Sequence, residues 1–199
     1  SIILSMTCVI AVLCIFYSRE FMELLYPQQE FEPLEAFQYR ISESSKILII
    51  LMGSFVSISV TYIFGTLLTA NGNLRQLNIV AACGVVINLT LNFIFIPHFQ
   101  AVGAAFTSLC VQFATCVIQF FIAKKTFKLC LGISFWLRLL AFISTISLST
   151  YLVSRNTENW LTGFGISFAI CILLAFITRM LDYKEIKDLA ISSMKNIKK

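Results

Sequence analysis

The sequence predicts an all-α integral membrane protein whose main body is a bundle of six transmembrane helices. Six apolar stretches contain no Asp, Glu, Lys, Arg or His, and each approaches the length of about 20 residues that a helix needs to cross a bilayer. The chain is 58% hydrophobic and only 13% charged, with a mean hydropathy of +0.87. A soluble helix would carry charges on its outer face every few residues. The predicted spans are residues 2–17, 47–68, 77–96, 101–123, 139–153 and 160–178.

The composition also excludes several classes of function. The net charge of +5 does not indicate nucleic-acid binding, because the basic residues lie beside the ends of the predicted helices. The seven cysteines lie almost entirely inside apolar stretches without a CxxC pair, so we expect packing and no metal or other cofactor. No nucleophile elbow, P-loop or HExxH motif is present, and the lone histidine, His98, has no catalytic partner nearby in sequence. We therefore expect a protein that is not an enzyme.

The first span stands at the start of a chain that opens on Ser without a charged leader, which predicts a fragment that lacks its N-terminal part. The connection that follows, residues 18–45, is predicted to be an extracytoplasmic loop. Its first turns place Phe21, Leu24 and Leu25 on one helical face, which predicts a short amphipathic helix at the membrane interface, broken at Pro27.

The other connections are short, and their charges predict the orientation of the bundle. If the six spans alternate, eleven of the 15 Lys and Arg residues fall on the side that holds the C-terminus. Because Lys and Arg are retained on the cytoplasmic side, the C-terminus is predicted to be cytoplasmic. Residues 179–199 form a basic tail with apolar residues at helical spacing, which predicts an amphipathic helix on the cytoplasmic leaflet or a solvated charged tail.

Polar residues inside the spans are the candidate functional residues, since each has to find a partner or water. Small residues and amides share one face of the third span, and hydroxyls and amides share one face of the fourth. Such faces are typical either of two helices in close contact or of the wall of a hydrophilic cavity. The candidates are Asn88 and Asn92 on the third span and Ser108, Gln112, Thr115 and Gln119 on the fourth.

Hydroxyl residues also form bands on the second and fifth spans, where we expect a packing role. Ser and Thr in a helix commonly hydrogen-bond to the preceding turn. The bands contain Ser54, Ser57, Ser59, Thr61 and Tyr62 on the second span, and Ser144, Thr145, Ser147, Ser149 and Thr150 on the fifth.

One region of the chain resembles a known family in three consecutive blocks. Leu67-Leu-Thr-Ala-Asn-Gly-Asn73 resembles the short L-x-A-x-G turn of polysaccharide (O-antigen) repeat-unit flippases. Val86-Ile-Asn-Leu-Thr-Leu-Asn-Phe-Ile-Phe-Ile-Pro97 is similar to their N-x3-N helix that ends at Pro, and Ala101-Val-Gly-Ala-Ala-Phe-Thr-Ser108 to their G-A-A helix start. Gln100 departs from the pattern, since the family commonly has Gly there. These flippases form the oligosaccharide-lipid branch of the multidrug/oligosaccharidyl-lipid/polysaccharide exporter superfamily.

The resemblance implies that the chain is one lobe, the C-terminal half, of a two-lobed transporter in the bacterial cytoplasmic membrane. The implied activity is to move undecaprenyl-diphosphate-linked oligosaccharides across that membrane by alternating access. The implied partners are the lipid-linked oligosaccharide, membrane lipids and the missing N-terminal lobe, and not nucleic acid. A multidrug extruder of the same superfamily, a membrane-embedded sugar O-acyltransferase and a non-transporting scaffold remain alternatives. An extruder is expected to carry an intramembrane acid and an acyltransferase a paired His, and the six spans contain neither.

Overall fold

The computed structural model describes residues 2–128 and 132–178, and all six regular elements in these ranges are α-helices. This confirms the predicted fold class, an all-α membrane protein. The basic tail predicted for residues 179–199 lies outside the described residues. The helices are α1 (Ile2–Phe16), α2 (Ser18–Leu25), α3 (Leu34–Ala70), α4 (Leu74–Phe127), α5 (Ile133–Asn156) and α6 (Trp160–Ile177).

Most helices of the described ranges have the length and hydropathy of membrane spans. Four of them, α3 to α6, are long and apolar enough to cross a bilayer, and α1 with α2, bent by 75° at their junction, can be counted as a fifth. The 54 residues of α4 would extend about 80 Å as one straight helix, far more than a hydrocarbon core of about 30 Å. Two of the six predicted spans, 77–96 and 101–123, lie within this one element, so the count of crossings depends on its shape.

A break at Gln100 divides α4 into two arms. Gln100 has φ 48° and ψ −127°, a non-helical conformation that a residue with a side chain rarely adopts. Pro97, just before the break, cannot donate a backbone hydrogen bond to the preceding turn. We call residues 74–99 the first arm and residues 101–127 the second arm. The structure thus separates the third and fourth predicted spans at the position where the sequence predicts a turn.

The two arms fold back on each other as an antiparallel hairpin. The rings of Phe95 and Phe106 meet edge to face with centroids 5.7 Å apart, close to the break. Further from it, a Cβ added to Gly84 would lie 3.6 Å from Oγ1 of Thr115. Residues further from the break on the first arm thus contact residues further from the break on the second arm. This is the pattern of antiparallel helices.

Gly103 allows the hairpin to close. A Cβ at this position would lie 2.6 Å from the carbonyl oxygen of Phe95 and 3.1 Å from Cβ of Phe99, so the backbone of one arm touches the other. Only glycine leaves room for this approach. Gly103 is the glycine of the G-A-A block in the sequence, and the structure gives that block a physical reason.

The last half of α3 packs alongside the second arm and runs in the same direction. A Cβ at Gly53 would lie 3.1 Å from Leu109, and one at Gly65 would lie 3.3 Å from Gln119. The residue numbers rise on both helices from the first contact to the second, as expected of parallel neighbours. Phe64 extends this contact through an edge-to-face contact with Phe120, at a centroid distance of 5.5 Å. Small residues on α3 therefore let the helices approach closely, as is common in membrane bundles.

The segment predicted as a loop, residues 18–45, is only partly a loop. The expected short helix is present as α2, but α3 already begins at Leu34, directly after Pro33. Proline is favoured at a helix start, and no Pro or Gly follows it before Gly53, so the chain continues as helix. Arg40 on the first turns of α3 pairs with Glu32 in the preceding connection at 2.7 Å. Hydrogen bonds from Arg40 hold the pKa of Glu32 below its usual value.

The helices belong to two compact units, one with α2, α3 and α4 and one with most of α1, α5 and α6. In the second unit, α5 and α6 are joined by three residues and pack through stripes that recur every four residues. Thr150 and Cys171 meet across this contact, with Oγ1 and Sγ 3.6 Å apart. The buried stripes are Phe142, Ile146 and Thr150 on α5 and Gly163, Ser167, Cys171 and Ala175 on α6.

Candidate functional site

Two cavities lie side by side along the α4 hairpin, within the unit of α2, α3 and α4. We call cavity A the one between the end of α3 and the two arms, with a volume of about 450 Å³. Its lining is Thr61, Tyr62, Gly65, Thr66 and Thr69 from α3, Leu77, Asn78 and Ala81 from the first arm, and Gln119 from the second arm.

Cavity B lies between the two arms alone and has a volume of about 380 Å³. Three predicted site residues meet here, since Asn88 reaches it from the first arm and Gln112 and Thr115 from the second. Gly84 leaves the space that a side chain facing Thr115 would fill. The rest of the lining is Ala81, Val85, Leu89 and Val111. Ala81 borders both cavities, so they adjoin each other along the first arm, and we call the two together the track.

The other predicted residues take different places. Asn92 lies one turn beyond Asn88 and donates a hydrogen bond from Nδ2 to Oδ1 of Asn88 at 2.6 Å. This bond helps to fix the orientation of the Asn88 amide. Ser108 is half-buried and lines neither cavity A nor cavity B. Gln119 lines cavity A, so the structure divides the predicted amide face between two cavities.

Gln119 is the most deeply placed polar group of the track. Its side chain is only 8% exposed, and its Oε1 has no hydrogen-bond partner within residues 2–128 and 132–178. A buried polar atom without a partner costs about 1–3 kcal/mol, so Oε1 of Gln119 is an acceptor that favours a hydrogen-bond donor.

The hydroxyl residues of the second half of α3, predicted to pack, have two different environments. Ser57 and Ser59 bond to the carbonyls of Gly53 and Phe55, as expected for packing residues. Thr61 and Tyr62 line cavity A, so for these two residues packing stays a prediction and a place in the cavity lining is added to it. The signal for finding them was the run Thr61, Gly65, Thr69, which recurs every four residues and joins hydroxyls to a small residue on one face. In the sequence this run overlaps with the longer band of Ser and Thr on the second predicted span, which hides its spacing.

The charges around the track are all positive. Residues 44–127 contain no Asp or Glu, and neither cavity has an ionisable group in its lining other than the Tyr62 phenol. Arg75 lies one helical turn before Asn78, and Lys124 and Lys125 lie about a turn and a half after Gln119. All three cations are exposed. The lining of cavity A is therefore uncharged, and three exposed basic residues lie within two helical turns of it in the sequence.

Helices long and apolar enough to cross a bilayer define the class of this molecule as a polytopic membrane protein, and amide and hydroxyl side chains help to line two cavities along its α4 hairpin. The sequence profile of a family described as the lipid II flippase MurJ matches residues 1–172. This match covers most of the 199 residues, so the chain belongs to the MurJ flippase family. No curated protein sequence matches the chain.

The family membership confirms part of what the sequence resemblance implied. The chain belongs with the flippases of the exporter superfamily, which are membrane transporters and not catalysts. The narrower resemblance, to flippases of polysaccharide repeat units, is not what the matching profile describes. The resemblance was carried by residues 67–108, whose blocks are the turn before α4, the break at Gln100 and the closing glycine, and these are features of the fold.

Proposed function

We propose that the chain forms part of a flippase that moves undecaprenyl-diphosphate-linked saccharides across the bacterial cytoplasmic membrane. The observation that carries this proposal is cavity B, where the amides of Asn88 and Gln112 converge from two antiparallel arms. Amides both donate and accept hydrogen bonds, as sugar hydroxyls do, so they match a hydroxyl-rich group. A sugar that enters the membrane loses its hydrogen bonds to water, and without such groups nothing would replace them.

The first candidate substrate is lipid II, because the matching family is described by that substrate. The second is a lipid-linked polysaccharide or O-antigen repeat unit, which the resemblance of residues 67–108 favours. Both substrates carry a sugar on a polyprenyl diphosphate, so the same track suits either. A multidrug extruder fits less well, since residues 44–127 provide no acid for binding a cationic drug.

The proposed machine includes parts beyond this chain. A second, N-terminal lobe would supply the opposite wall of the transport path and allow alternating access. The proposed orientation has a cytoplasmic C-terminus, because Arg75, Lys124 and Lys125 then lie on the side where basic residues are retained. Cavity A would open near the cytoplasmic surface and cavity B would lie deeper in the membrane.

The test uses the complete protein that contains this chain, with Asn88→Leu and Gln112→Leu introduced singly. Each variant is expressed in a strain depleted of its own lipid II flippase, and growth and the pool of lipid-linked precursor are measured. We expect each variant to reduce flipping at least about tenfold at unchanged membrane abundance, because one lost hydrogen bond to substrate is worth about that factor. Gln76→Leu, the same chemical change outside both cavities, is the matched control and keeps full activity.

The outcomes separate the alternatives. If abundance falls in step with activity, the amides hold the helices together and the transport role of cavity B is wrong. If the wild-type protein fails to replace the lipid II flippase but restores surface polysaccharide in a strain that lacks its repeat-unit flippase, the second substrate is correct. Rescue by residues 1–199 alone would contradict the need for a second lobe.

A further inference from the structure

We infer that the first turns of α3 and the connection before them form a docking surface for a basic segment of another protein. The surface consists of the apolar side chains of Phe31, Leu34 and Tyr39 and the acids Glu30 and Glu35, and we call it the acidic ridge. Its location outside the cytoplasm rests on the proposed orientation of the chain, whereas transport plays no part in it.

The acidic ridge lies beyond the reach of the membrane. The second predicted span begins at Ile47, and α3 is helical from Leu34 onward. At about 1.5 Å per residue, Leu34 lies about 20 Å from the start of this span along the helix, whereas head groups add about 5–8 Å to each side of the hydrocarbon core. Apolar side chains at this height face water unless a protein covers them.

The α4 hairpin does not cover the acidic ridge either. Gly53 on α3 faces Leu109 on the second arm, and the two helices run in the same direction. Eight residues earlier on each helix, the start of the second arm at Ala101 is therefore about level with Ser45. The helix continues from there to Leu34, so the first turns of α3 project past the hairpin by about 16 Å.

Large apolar side chains are nevertheless exposed on the acidic ridge. Phe31 is 96% exposed, Tyr39 71% and Leu34 59%. Aromatic side chains are enriched in the centres of protein interfaces, where they serve as anchors. Their exposure above the membrane therefore indicates contact with a protein.

A clamp of hydrogen bonds orders the connection that carries Phe31. Arg40 donates to the carboxylate of Glu32 from Nε at 2.9 Å and from Nη2 at 2.7 Å, and its guanidinium lies 5.5 Å from the ring centroid of Phe37. The side-chain amide of Gln28 donates to the carbonyl of Glu32 at 2.9 Å. The backbone next to Phe31 is thus preorganised, which lowers the entropy lost when a partner binds.

The charge of the acidic ridge indicates the chemistry of the partner. Residues 18–45 contain six Glu and two Arg, and both Arg are already paired with Glu. Glu30 and Glu35 flank the apolar side chains and form no ion pair within residues 2–128 and 132–178. These acids repel anionic lipid head groups and the same surface of a second copy, but attract Lys and Arg. The occupant is a protein segment in which basic residues accompany apolar ones.

The experiment places a photo-reactive residue in the acidic ridge of the complete protein, in its native cells. Phe31 is replaced by p-benzoylphenylalanine, the cells are irradiated, and both peptides of each crosslinked product are identified by mass spectrometry. We expect a crosslink to another protein, in a segment that lies outside the cytoplasm and carries more Lys and Arg than acids. Phe93, an 80% exposed Phe within the third predicted span, is the matched control position and should not give this product.

A synthetic peptide with the sequence of the crosslinked segment then tests the role of charge. Its binding is measured on the complete protein in nanodiscs of phosphatidylcholine, with empty nanodiscs as the blank. We expect the combination of Glu30→Lys and Glu35→Lys to weaken binding at least about tenfold and to remove most of its salt dependence. Phe31→Ala should weaken binding about tenfold at unchanged salt dependence and gives a second reading if the charge variant fails to fold. Glu158→Lys, the same change between α5 and α6, is the matched control and leaves binding intact.

Several results would overturn the inference. A crosslink to lipid alone makes the acidic ridge a membrane anchor, and a crosslink to a second copy makes it a surface for self-association. A crosslink within one polypeptide shows that another part of the complete protein covers it. Absence of a product at Phe31, a cytoplasmic partner or a segment without an excess of Lys and Arg also contradicts the inference.

The assay separates the acidic ridge from the proposed function, because crosslinking and peptide binding do not require transport. Failure to crosslink in a protein that still flips its substrate rejects only the acidic ridge. Crosslinking to a basic segment in a protein that flips neither candidate substrate rejects only the proposed function.

Discussion

The α4 hairpin and the α5–α6 pair both carry polar side chains among apolar helices. The two regions differ in where these side chains find their hydrogen-bond partners. On α5, Ser144 and Thr145 donate hydrogen bonds to the carbonyls of Leu140 and Ala141, both at 2.7 Å. These two hydroxyls thus have hydrogen-bond acceptors within their own helix and need no partner on another helix. On α4, the amides of Gln112 and Gln119 face cavities instead. The difference teaches that a hydroxyl can line a cavity and still bond within its own helix, as Thr66 and Thr69 do, whereas an amide needs further partners.

The physical cause is the length and geometry of the side chains. A hydroxyl on Cβ reaches the carbonyl of the preceding turn, so it can be buried against lipid or another helix at little cost. An amide of Asn or Gln has two donors and an acceptor, and these need partners beyond its own helix. Asn92 donates from Nδ2 to Asn88 on the same arm, but its Oδ1, like Oε1 of Gln119, has no partner within the described ranges.

The largest effect in this comparison is expected from a substitution that keeps the two arms of the hairpin apart. Gly103→Ala puts a Cβ within 2.6 Å of the Phe95 carbonyl, so the arms have to separate and both cavities change shape. We expect a loss of about 1–3 kcal/mol of stability, measured as a lower melting temperature of the purified complete protein. Gly165→Ala on α6 is the control, because nothing lies within 4 Å of its added Cβ. Equal melting temperatures for the two variants would show that the arms do not touch at Gly103.

The smallest effect is expected from the hydroxyls of α5. Ser144→Ala and Thr145→Ala remove hydrogen bonds that are local to one helix and lie at exposed positions, so stability should change by less than about 0.5 kcal/mol. Flipping activity should stay at the wild-type level in the same complementation assay that detects loss with Gln112→Leu. A loss of activity comparable to that of Gln112→Leu would remove the distinction between hydroxyls and amides.

The sequence was sufficient to predict much of the architecture. Hydrophobic stretches predicted the helices because a membrane span leaves no room for charge, and the motif around Pro97 and Gly103 predicted the turn between two spans. The extension of α3 back to Leu34 is not predicted, because the charges of this segment favour a loop over a membrane span. They belong to a helix that continues beyond the apolar stretch, where Lys46 pairs with Glu43 at 2.7 Å.

The candidate site could be predicted only in part. Periodicity places Asn88, Gln112, Thr115 and Gln119 on helix faces, but it does not tell which helix faces which. Gly65 and Gln119, both in the lining of cavity A, meet only because α3 packs against the second arm. Such a contact depends on the packing of three helices, so no local pattern in the sequence reveals it.

The most direct test of the account asks whether α4 folds back at Gln100. In the complete protein with native cysteines replaced, Gly84→Cys and Thr115→Cys are combined and oxidised, and the disulfide is detected by protease cleavage between the arms. A Cβ at Gly84 lies 3.6 Å from Thr115 Oγ1, so we expect rapid cross-linking, whereas Thr90→Cys, about 9 Å further along the first arm, should not cross-link to Thr115→Cys. A continuous α4 would hold positions 84 and 115 about 46 Å apart. Failure of the 84–115 pair to form a disulfide would contradict the hairpin and both cavities with it.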